Sequence, residues 1–158
     1  MSYDFNADDV FEMAKQMERN GAKFYRTAAG QTQDAGNKEF LLELAAMEDQ
    51  HEKTFNTLHA ELSAQEKQST VFDPEGEAAL YLRALADTRV FFEKEIDVTS
   101  LKKILKSAIE AEKDSIVFYL GMKEAVPEKL GKGRLDDIIR EEMEHIRLLS
   151  RKLVEQKG

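Results

Sequence analysis

Six residues of this chain have the types and the spacing to hold metal: Glu18, Glu48, His51, Glu112, Glu142 and His145. His51 and His145 each stand three residues after a glutamate, Glu48 and Glu142. Positions i and i+3 of a helix face the same way, so each Glu-x-x-His pair offers a carboxylate and an imidazole to one point. An offset of 94 residues carries Glu18, Phe24, Tyr25, Glu48 and His51 onto Glu112, Phe118, Tyr119, Glu142 and His145. A duplicated helical hairpin accounts for that coincidence. Any one glutamate in an acidic helical chain is ordinarily a surface charge; six residues repeating in register are not.

Apolar residues flank each of these positions. Phe11, Ala14, Glu18, Gly21, Tyr25 and Ala28 alternate at spacings of three and four. So do Leu41, Leu44, Glu48, His51, Phe55, Leu58 and Leu62. In the second half, Leu105, Ala108, Glu112, Ser115, Tyr119 and Met122 form one such seam, and Leu135, Ile138, Glu142, His145 and Leu149 form the other. That periodicity turns one face inward. Four carboxylates at one level of a core would repel one another and lose their hydration, and cations are the natural remedy. Two divalent ions balance four carboxylates, with the imidazoles neutral.

Four helices must position these residues. They are predicted at about 7–30, 38–66, 99–126 and 134–156, in a single domain over residues 1–158. Asn6 reads as the first N-cap, with Asp8 and Asp9 favoured by the helix dipole. Asp34, Gly36 and Asn37 mark a turn. Thr99 or Ser100 opens the third helix, Pro127 stops it, and Gly131 and Gly133 precede the fourth. Short links make two antiparallel hairpins. The 67–98 segment is long enough to cross the height of a bundle, and Asp73-Pro74 suggests a short helix within it. The expected fold is therefore all-α: a four-helix bundle of two hairpins joined by a long crossover.

Composition narrows the function. Among 158 residues, 31 acids against 23 bases give a net charge of -8, which disfavours nucleic acid. The longest apolar run, Ile116 to Met122, is far short of the roughly 18 residues that span a bilayer, so no membrane is expected. Asp4, Asp8 and Asp9 stand where a secretory signal carries basic residues, and the expected location is cytoplasmic. With no cysteine there is neither a disulfide nor a thiolate-bound iron centre.

The segments MERNGAKFY, MEDQHEKTF, AEKDSIVFY and EEMEHIRLL resemble the ferritin-like diiron carboxylate superfamily, and within it the rubrerythrin-like branch. One glutamate from each of two helices plus Glu-x-x-His from two others is the ligand set of such bundles. The resemblance implies that Glu18, Glu48, His51, Glu112, Glu142 and His145 are ligands to two iron ions, with Glu48 and Glu142 bridging. It also implies that the Tyr25 and Tyr119 hydroxyls hydrogen-bond ligand carboxylates. Two departures stand out. Rubrerythrins typically carry a further glutamate three residues after the third-helix ligand, and Ser115 stands there instead. A cysteine-bound rubredoxin domain has no residues to build it, so electrons must come from a separate donor protein.

The leading expectation is a reduced diiron site that reacts with peroxide or dioxygen. The rivals are iron binding and ferroxidase activity for storage or delivery, and a non-catalytic interaction module stabilised by zinc or manganese. His59 lies at the edge of its seam without a mate in the second half and is read as structural. Glu52, Glu141 and Glu144 point away by helical spacing and are read first as surface charges, with contacts that support the ligands as the alternative. Gly21 and Ser115 leave room for a small ligand or for close helix packing. Tyr81, Leu82, Leu85, Val90, Phe91 and Phe92 put apolar surface in the crossover, and a homodimer is expected.

Overall fold

In a computed structural model of the chain, residues 7–61, 100–125 and 132–156 are described. They form four helices: α1 (Ala7–Gly30), α2 (Ala35–Ala60), α3 (Leu101–Ala125) and α4 (Lys132–Glu155). At 24 to 26 residues each, they are roughly 36–39 Å long at 1.5 Å rise per residue.

Local chemistry sets the ends. Asp8 and Asp9 lie in the first turn of α1, where the exposed amides favour negative charge. Asp34, in extended conformation, caps α2 by accepting a hydrogen bond from the Asn37 amide at 2.8 Å. The helix therefore begins three residues before the expected Lys38. Gly36 suits that first turn because a Cβ there would stand 3.3 Å from the capping carboxylate oxygen. At its other end α2 stops at Ala60 with Glu61 as C-cap, short of the expected 66. Ser100 caps α3, its hydroxyl accepting from the Lys103 amide at 3.2 Å. The fourth helix starts two residues early and takes in Gly133. The expected Asn6 cap, the Pro127 stop, the 67–98 crossover and its apolar residues lie outside the described residues.

α1 packs along α2 and α3 along α4 as antiparallel hairpins. Between hairpins, Tyr25 on α1 meets Glu112 on α3 while Glu18 meets Tyr119, so α1 and α3 are also antiparallel. α2 thus ends and α3 begins at opposite ends of the bundle.

Every seam residue named above that lies among the described residues is buried. The core falls into two apolar clusters. One holds Phe11, Phe55, Leu58, Phe118, Met122 and Leu135; the other holds Phe24, Leu41, Leu44, Ile104, Leu105 and Leu149. Each such side chain contributes about 1.5–3 kcal/mol on burial. Between the clusters, at mid-height, lies the layer of acids and histidines. Among the described residues no helix is long and apolar enough to cross a membrane.

Candidate metal centre

Each hairpin delivers one carboxylate from its first helix and a Glu-x-x-His pair from its second. All six side chains are at most 2% exposed. Their donor atoms form two groups, each with atoms within 4.8 Å of one another: Glu18, Glu48, His51 and Glu142, and Glu48, Glu112, Glu142 and His145. Glu48 and Glu142 belong to both.

The atoms show how the sharing is arranged. His51 Nδ1 lies 2.9 Å from Glu142 Oε1, 3.4 Å from Glu48 Oε2 and 3.5 Å from Glu18 Oε2. His145 Nδ1 lies 3.3 Å from Glu112 Oε1, 3.4 Å from Glu48 Oε1 and 3.5 Å from Glu142 Oε2. Glu48 and Glu142 therefore each turn one oxygen toward one histidine and the other oxygen toward the other. The two imidazoles stack at 5.8 Å between ring centres.

Close approach has produced only one hydrogen bond among these six side chains, between His145 Nδ1 and Glu112 Oε1 at 3.3 Å. Glu48 Oε1, His51 Nδ1, Glu112 Oε2 and both oxygens of Glu142 are buried without a hydrogen-bond partner. Buried polar atoms are seldom left so, because each costs about 1–3 kcal/mol. Lone pairs gathered around a common centre but misaligned with one another fit cations. Oxygen and imidazole donors suit iron, manganese or zinc.

The tyrosines cross between the halves. Tyr25 Oη donates to Glu112 Oε1 at 2.5 Å, and Tyr119 Oη donates to Glu18 Oε1. Burial, reinforced by the surrounding carboxylates, pushes both phenols well above their usual pKa, so they remain donors. Each tyrosine thereby fixes one oxygen of the opposite hairpin's unshared glutamate, as the resemblance implied.

Without metal, the site holds protons. Burial and the neighbouring carboxylates push Glu48 and Glu142 well above the usual carboxylate range. For His145, burial disfavours the charged form, but the close carboxylates of Glu112, Glu142 and Glu48 override it and raise the pKa to about 12. His51 is raised in the same way by Glu142, Glu18 and Glu48. Burial likewise opposes ionisation of Glu112, and Glu142 and His145 outweigh it, bringing Glu112 down to about 2.

Residues near the motifs divide. Glu52 pairs with Arg19 at 2.5 Å and Glu144 with Arg147 at 2.5 Å, as surface charges do. Glu141 takes the alternative, supporting role: its half-exposed carboxylate contacts His51 Nε2 across the α2–α4 interface. Spacing along α4 places position 141 outside the seam, and only the pairing with α2 reveals the contact. His59 is structural, bonded to Asp8 at 2.5 Å and Lys15 at 3.0 Å and stacked on Phe11. The Ser115 hydroxyl donates to the Ala111 carbonyl at 3.1 Å and so stabilises its own helix.

A comparison with curated proteins gives no significant match. Among solved structures, the fold is similar to a Thermotoga maritima protein assigned to the ferritin-like diiron-carboxylate class. The TM-score is 0.73 at 25% identity, covering 99% of this chain and 100% of the other. The rubrerythrin family model matches residues 9–153, nearly the full length and a range that contains all six candidate ligands. By that match, and by the bundle and donor layer that agree with it, the chain belongs to the rubrerythrin family.

Proposed function

We propose that this protein is a diiron oxidoreductase whose reduced site reacts with hydrogen peroxide or dioxygen. Glu18 and His51 would hold one ion and Glu112 and His145 the other, with Glu48 and Glu142 available to both. One observation carries the reading: Glu48 and Glu142 each divide their two oxygens between the two histidines. A single-ion site needs no such division.

When bound, two ferrous ions supply two electrons, the number that reduces peroxide to two waters. The chain's residues govern the setting. The apolar clusters above and below the layer exclude bulk water, which strengthens every charge interaction inside. Tyr25 and Tyr119 hold Glu112 and Glu18 in orientation, whereas no hydrogen bond ties down either oxygen of Glu142, which is therefore free to shift its contacts as charge changes. Ser115 leaves the position of the extra rubrerythrin glutamate without a carboxylate, so any redox-linked rearrangement rests on the six ligands alone. Electrons arrive from a separate donor protein, because the chain has no cysteine for an iron–sulfur relay.

Stopped-flow mixing of ferrous-loaded protein with peroxide and, separately, with oxygen tests the proposal. Peroxide should oxidise the site faster, with two ferrous ions consumed per peroxide and no ferric mineral formed. Fast reaction with oxygen alone, followed by ferric mineral growth, would show iron handling instead.

A further inference from the structure

We infer that Glu141 is a positioning residue for His51 and that it makes the two metal positions unequal, so that the position built on Glu18 and His51 fills first. This inference rests on the dimetal reading above and adds to it an order of loading.

The two halves are otherwise closely matched around the centre. Each histidine turns Nδ1 toward three carboxylates, and each unshared glutamate receives one tyrosine hydroxyl. The match breaks on the far side of the rings. His51 Nε2 meets the Glu141 carboxylate, whereas His145 Nε2 is fully buried with no hydrogen-bond partner among the described residues. The repeat explains why. The offset of 94 that relates the halves places Met47 opposite Glu141, so position 47 stands to His145 as position 141 stands to His51, with a thioether in place of a carboxylate.

An imidazole can give Nδ1 to a metal only when its remaining proton sits on Nε2. An acceptor on Nε2 selects that tautomer, fixes the ring's orientation and makes Nδ1 a stronger donor. Glu141 does all three for His51. Nothing described does so for His145, whose Nε2–H must stay buried and unbonded whenever its Nδ1 binds metal. Because the Glu141 side chain is 53% exposed, the contact also sits at the rim of the site, where its loss leaves the apolar core untouched.

Anaerobic titration of metal-free protein with Co2+, followed by visible absorption, tests this without reference to activity. The wild-type chain should bind two equivalents in two resolved steps. Glu141→Ala should weaken the first step by about 10- to 100-fold and leave the second unchanged. In Glu141→Gln, the amide oxygen still accepts the Nε2 proton and should recover part of the loss, which a purely structural role would not predict. His145→Ala should retain a single equivalent bound more tightly than the single equivalent of His51→Ala. Two equal steps in the wild type, or two unchanged steps in Glu141→Ala, would overturn the inference while leaving the dimetal reading standing. A wild-type chain that binds no cobalt would overturn both.

Discussion

Loading metal into this protein should expel protons in a number set by four residues. In the metal-free site His51 and His145 are raised by the carboxylates around them, the latter to about 12, and burial pushes Glu48 and Glu142 well above the carboxylate range. All four must be deprotonated to bind metal. Glu112, brought down to about 2, has none to give, and Tyr25 and Tyr119 keep theirs. Binding two divalent ions should thus release at least about two protons, from the histidines, with Glu48 and Glu142 adding to that number. The overall two-ion binding constant should then rise by at least about 10^2 per pH unit near neutrality, since each proton released contributes one power of ten. Calorimetric titration with Co2+ in buffers of different ionisation enthalpy counts the protons directly. A release of about one proton or fewer would refute the reasoning, for it would mean that the buried layer is already deprotonated and open.

Three further outcomes follow from the same geometry. Glu48→Gln and Glu142→Gln should each impair both ions, whereas Glu18→Gln should impair one and spare the other, as read from equilibrium dialysis with cobalt; equal losses in all three would contradict the sharing. Tyr25→Phe should destabilise the metal-free protein by about 1–3 kcal/mol, because Glu112 Oε1 loses its short hydroxyl donor and keeps only His145 Nδ1 at 3.3 Å, and denaturant melts at fixed pH would measure the loss. Metal-free protein should also lose stability in alkali. The raised pKa of His145 contributes stability that is complete below about pH 6.5 and lost as the pH climbs toward about 12, so thermal melts should fall across that window.

Much of this site was legible because its information lies along single helices. Spacings of three and four placed Glu18, Glu48, His51, Glu112, Glu142 and His145 on inward faces, and the shared offset set the two halves in register. Contacts between helices were harder to read. Glu141 has the same spacing as any outward-facing acid, and its meeting with His51 depends on how α2 and α4 lie against each other. The start of α2 was misplaced because Gly36 and Asn37 carry turn chemistry, yet the Asp34 cap satisfies the first-turn amides and draws both into the helix. Gly133 misled in the same way at α4, where a glycine in the first turn costs little because few helical bonds depend on it. Ser115 is a small residue on the inward seam by spacing alone; its bond to the Ala111 carbonyl could not be read from residue type.

In the proposed function, six buried side chains hold two metal ions through two shared glutamates. Its most direct test is metal analysis of protein loaded anaerobically with ferrous iron and freed of excess by gel filtration, alongside the Glu48→Gln, Glu142→Gln double variant. Wild-type protein should retain close to two iron ions per chain and the double variant almost none. Wild-type protein that retains no stoichiometric metal, or a double variant that retains two ions, would contradict it.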